Sequence, residues 1–243
     1  MVERCGYIAD PHRTFSIYLQ SCFPESSSAV TLRQMLGGGD KEFQKLEFLE
    51  KLRIALAISM GILHLYSTPW LTGALTLDDV VFLRGNQKTV SHSESPLLPF
   101  MARNFVRRSN EADSLKSIPQ SEPRKPFKAI NPMMLSLGAV LIQVMIGQAI
   151  PALDMASGSE TSLNVMLEKY EAGDRFKDKV LQCGGWNYIV AVNWCLESVL
   201  GIMGLENENF CQSFYEEVVA RLEKDIRQVI SIKRETGLNG DAV

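Results

Sequence analysis

Phe15, Ile17 and Leu19 alternate with smaller or polar residues, a period of two that predicts a half-buried strand over residues 15–20. Pro24 and the serines at 26–28 end it. Thr31-Leu-Arg-Gln-Met-Leu36 predicts a short helix capped by Thr31 or Ser28 and stopped by Gly37-Gly38-Gly39. A long helix follows over residues 41–66. Its first half is amphipathic, with Leu46, Leu49, Leu52 and Leu56 on one stripe and Glu47, Glu50, Lys51 and Arg53 away from it. Its second half is apolar nearly all round, the pattern of a helix buried on every side. Pro69 forbids continuation. Val80-Val-Phe-Leu83 then reads as a short buried strand, with Gly85-Asn86 as the turn after it.

Residues 86–128 are rich in serine and proline, locally basic and without periodicity, which predicts a long surface loop with partial disorder. Within it Ser109 follows Arg107-Arg108 and Ser95 precedes Pro96, so both are candidate phosphorylation sites. Asn131 caps a second apolar helix, Pro132 occupies its first turn and Gly147 ends it. Gly138 in this helix is expected at a close-packing point, where the first long helix or the loop after it approaches. Further helices are predicted over 162–172, 174–183, 186–200 and 206–232, broken at glycines. In the last, Phe210, Phe214, Val218, Leu222 and Ile226 recur every four residues, and Glu217–Arg221 and Glu223–Arg227 form i,i+4 pairs. Trp186 and Trp194, eight apart, are expected on one helical face in the core. The organisation expected is an N-terminal strand and short helix (1–40), a helical domain (41–232) containing the 86–128 loop, and a disordered tail (233–243).

Composition narrows the function classes. Hydrophobic residues make up 46% and charged residues 22%, as in an ordinary globular domain. The net charge of −3 gives no electrostatic reason to expect nucleic acid. Both long apolar runs fall short of the roughly 20 residues of a membrane span, and no signal peptide is visible. Five scattered cysteines predict reduced thiols, hence an intracellular and cytoplasmic location. Cys5 and His12 lack further ligands at zinc-site spacing, so no metal is expected. The chain has no Gly-x-Ser-x-Gly, no His-Glu-x-x-His and no Gly-x-Gly-x-x-Gly after a strand. His64, in an apolar helix, reads as a core or capping residue, and Trp70 as packing beneath the following loop, with a pocket role the alternative for both.

Several segments together carry a resemblance: Leu63-His-Leu-Tyr-Ser-Thr-Pro-Trp-Leu71, Asp79-Val-Val-Phe-Leu83, Asn131-Pro followed by Leu137-Gly138, Cys195-Leu-Glu, Asn209-Phe, and Phe214-Tyr-Glu-Glu-Val-Val219. Over residues 14–227 the chain resembles a fungal domain family of unknown function with a degenerate protein-kinase-like C-lobe, often found beside prion-inhibition-and-propagation (HeLo-type) domains. The resemblance implies a mainly α, C-lobe-like helical domain with a small β element and no complete N-lobe. Where a kinase reads His-Arg-Asp, this chain reads Thr72-Gly73-Ala74. Setting Asp79 on the kinase metal-binding Asn puts Ala74 at the catalytic Asp and Thr76 at the loop Lys. Phosphoryl transfer needs a carboxylate, metal ligands and a phosphate-binding lysine, and these positions are degenerate. The resemblance therefore implies a pseudokinase-like interaction module with a protein partner, without ATP, cofactor or catalysis. The alternatives are a divergent phosphotransferase using Asp78 or Asp79, or a truncated product whose functional N-terminal part is missing.

Overall fold

The computed structural model of the protein describes residues 4–9, 14–18, 28–37, 46–66, 71, 74–84, 99–101, 131–155, 163–198 and 207–238. Strands β1 (Arg4–Ala9) and β2 (Thr14–Tyr18) pair antiparallel, with Ile8 opposite Phe15. Strand β3 (Ser28–Thr31) starts at a serine that the sequence pattern had read as a strand terminator. Its partner is β4 (Val80–Arg84), which also pairs with β5 (Pro99–Met101), giving an antiparallel sheet in the order β3-β4-β5. Val30 faces Phe82, and Val81 faces Phe100. Strand β5 thus lies inside the stretch expected to be a loop.

Helix α1 (Leu32–Leu36) follows β3 directly through a capping box. The Gln34 N–H donates to Thr31 Oγ1 at 3.2 Å, and the Thr31 N–H donates to Gln34 Oε1 at 3.0 Å. Each side chain thereby satisfies a backbone donor that the helix start leaves open. Helix α2 (Phe48–Leu65) begins later than expected, because Glu47 adopts an extended cap conformation and its N–H bonds Glu50. Leu46 and Glu47 are not helical.

Helix α3 (Pro132–Ile146) is the centre of the molecule. Asn131 Oδ1 accepts from the N–H groups of Met133 and Met134, and Gly147 closes the helix in the left-handed region at φ 78°. Every residue from Met133 to Met145 is buried. All-round hydrophobicity here therefore means burial on all sides. Helix α3 packs on α2, α4 (Leu163–Asp174) and, most extensively, α5 (Lys177–Glu197). The close approach at Gly138 comes from α5: a Cβ there would lie 2.9 Å from Leu196 Cδ2 and 3.3 Å from Cys195 Cβ. It does not come from the first long helix or its loop, as expected.

Helix α5 bends at Gly185, whose φ of 78° and ψ of −175° are non-helical. Trp186 and Trp194 both follow that break, and eight residues at 3.6 per turn leave them about 80° apart, so they do not share a face. Trp186 is 71% exposed, whereas Trp194 packs on Phe210 and Phe214 at ring-centroid distances of 5.1 and 5.7 Å. The chain ends in α6 (Glu208–Phe214), a π-helical segment (Tyr215–Val219) and α7 (Ala220–Leu238). Helix α7 continues six residues past its expected end, through part of the expected tail. Leu32 and Leu36 of α1, Ile58 and Ile62 of α2, all of α3's larger apolar residues, Val192 of α5 and Phe214 belong to one hydrophobic core. The architecture is mainly helical with a small three-stranded sheet.

Candidate functional site

The backbone of the segment between α2 and β4 is anchored from below. Leu71, Leu75 and Leu77 are buried, and Ala74 is half-buried against the same core. The Leu75 N–H donates to Ser136 Oγ at 2.8 Å, and that hydroxyl donates to the Met133 carbonyl at 2.8 Å. A buried serine in the second turn of α3 thus ties the loop to the central helix. Without it, the buried Leu75 amide would lack a partner, a loss of about 1–3 kcal/mol.

The two aspartates that follow have different surroundings. Asp79 turns back on Thr76, accepting from its N–H and its hydroxyl on the same oxygen, each at 2.8 Å. The Asp79 N–H donates to the Thr76 carbonyl at 3.2 Å, which closes the turn. Thr76 is itself buried. Asp78 is exposed and accepts from Arg33 Nε at 2.8 Å. Arg33 Nη1 reaches Asp154 at 2.7 Å, so one guanidinium joins α1, the turn before β4 and the segment after the 3-10 turn Pro151–Leu153. Hydrogen bonding to Asp154, ahead of that to Asp78, raises the Arg33 pKa further despite an opposing desolvation.

The remaining candidates do not join this loop. His64 is exposed on the last turn of α2, so it is not a core residue. The stripe Ile54, Ile58 and Ile62 points inward, and His64 lies off it. Trp70, Ser95, Ser109 and His12 lie outside the described residues. Among the described residues, no three His, Cys, Asp or Glu side chains converge as metal ligands, and no helix is long and apolar enough to cross a membrane.

Two contacts had no signal in the sequence. Arg33 stands 45 residues before its partner Asp78, and nothing local marks it. Lys51, placed on the wet side by its charge, is instead buried, and its Nζ donates to the Met145 carbonyl at 2.9 Å. An ammonium at a helix C-terminus meets carbonyls that the helix leaves open and the negative end of its dipole.

A mainly helical domain with a small sheet, and a loop whose carboxylates are used within the fold, defines the class. A family model described as Domain of unknown function (DUF7580) matches residues 9–229, and the chain belongs to that family. Neither the curated proteins nor the solved structures give a match.

Proposed function

We propose that the chain is a non-catalytic, pseudokinase-like interaction module of an intracellular fungal protein. The observation that carries the reading is the use made of Asp79. Its Oδ2 accepts two hydrogen bonds from Thr76, which makes the carboxylate a turn-former. Asp78 is paired with Arg33. Ala74, at the position of a catalytic carboxylate in the kinase alignment, has no acid, and Thr76 has no ammonium. The kinase-like ancestry is supported by the order of elements: a long helix, an anchored loop, a short strand, a central apolar helix and a helical C-terminal half. The fungal context and the neighbouring HeLo-type domains rest on the resemblance of the motifs.

A module without chemistry acts through its surface, and the partner is a protein. The testing experiment is a phosphoryl-transfer assay with γ-labelled ATP, Mg²⁺ or Mn²⁺, and generic protein acceptors. No incorporation above a heat-denatured control is expected. Incorporation that disappears in Asp79→Ala or Asp78→Ala would establish a divergent phosphotransferase instead.

A further inference from the structure

Two exposed helix faces of this chain are complementary to each other. On α7 a shallow trough is lined by Arg227, Ile230, Ser231, Arg234 and Glu235. Arg227 and Arg234 are two turns apart, about 10 Å along the axis and on one face, with Ile230 between them. Basic residues therefore bracket an apolar side chain, with Glu235 the one acid in the trough. On α4 the polarity is reversed. Leu167 is 46% exposed, with exposed Glu171 one turn further on the same face and exposed Glu168 at its edge.

We propose that these faces bind each other between copies, so that the partner of the α7 trough is α4 of a second copy of this chain. Glu168 and Glu171 meet Arg227 and Arg234, and Leu167 packs on Ile230. Arg227 now pairs with Glu223 at 2.7 Å, one turn away on its own helix. Such an exposed i,i+4 pair is weak, so Arg227 exchanges it for an intermolecular partner at little cost. Because different faces of the two copies meet, the contact is heterologous. It leaves one free α4 face and one free α7 face at the ends, and growth stops only if the rotation closes a ring. The proposal gives a partner to the interaction role above, but it does not depend on the state of the 74–79 loop.

Sedimentation velocity tests it, using the full chain across a wide concentration range at low and high salt. The expected result for wild type is a weight-average mass that rises with concentration and falls with added salt. Arg227→Glu/Arg234→Glu abolishes one face, and Glu168→Arg/Glu171→Arg abolishes the other. Both pairs are exposed, so the melting midpoint stays near wild type; the alanine versions replace either variant that fails this check. Each variant alone is expected to be monomeric. Mixed, they associate again, because the native faces pair between one copy of each variant and the charge-reversed faces are complementary as well. A wild type that stays monomeric throughout overturns the proposal, as do variants that associate like wild type or a mixture that remains monomeric. Such a failure leaves the non-catalytic reading standing, whereas phosphate transfer would overturn that reading and leave this one.

Discussion

Asp79 holds Thr76 through two hydrogen bonds to a single carboxylate oxygen, each 2.8 Å long. Both donors come from a buried residue four positions before β4, so the carboxylate fixes how the loop enters the sheet. Hydrogen bonds to a charged group contribute about 1.5–3 kcal/mol each. Asp79→Ala is therefore expected to cost roughly 2–3 kcal/mol, less than the simple sum because water reaches the half-buried acceptor. Urea denaturation of the variant measures this directly.

The Lys51–Met145 contact gives a second prediction. Lys51→Met retains the apolar stem but removes the donor to a buried carbonyl, an expected loss of about 1–3 kcal/mol. Gly147, whose added Cβ would stand 3.0 Å from the Lys51 Nζ, closes the same helix end at φ 78°. Gly147→Ala should destabilise by about 1 kcal/mol or more, through backbone strain and displacement of that ammonium. Equal urea midpoints for wild type and both variants would mean that the α3 terminus is held by other contacts.

Helix α3 is predicted to be the least tolerant element. Leu141 is fully buried, and Leu141→Ala should leave a cavity costing about 2–5 kcal/mol. Gly138→Leu should overpack against Leu196 and Cys195, by about 1–3 kcal/mol or more. Both should lower the melting midpoint well beyond Gln182→Ala on the exposed side of α5. Unchanged midpoints would make α3 peripheral.

Asp225 on α7 predicts a pH dependence. It accepts from Asn187 Nδ2 of α5 at 2.6 Å, while its other oxygen is buried without a partner among the described residues. Desolvation raises its pKa above the usual 3.8, opposed by the Asn187 hydrogen bond and by Lys224. The folded state thus binds this proton more tightly than the unfolded chain. Its stabilising contribution is fully present below about pH 4 and is lost as pH rises through the folded-state pKa. Asp225→Asn should flatten this part of the stability profile, with the largest gain over wild type at neutral pH. Thermal melts of both proteins between pH 4 and 7.5 provide the comparison.

Features with local causes were legible in the sequence. Helix α3 is marked by Asn131-Pro132 at its start, Gly147 at its end and an unbroken apolar run, and all three act within a few residues. The short strands were harder. Ser28 reads as a breaker until β4, more than fifty residues later, supplies backbone partners, and β5 is only three residues long. Lys51 and Arg33 depend on acceptors 94 and 121 residues away, respectively Met145 and Asp154. Charge alone placed Lys51 in solvent. Of the two readings of His64, core or capping, the core one fails for a simpler reason: neighbouring apolar residues outweighed helical phase, although Ile54, Ile58 and Ile62 already defined the inward stripe.

Differential scanning fluorimetry of wild type and Asp79→Ala, each with and without millimolar ATP and Mg²⁺, tests the central claim most directly. A ligand present at 100-fold over its Kd would stabilise by about 2.7 kcal/mol, a shift easily seen in a domain of this size. The account predicts that Asp79→Ala melts lower than wild type and that nucleotide moves neither midpoint. A nucleotide-dependent rise in wild type that Asp79→Ala abolishes would contradict it, because the carboxylate would then be holding a metal or phosphate and not a turn.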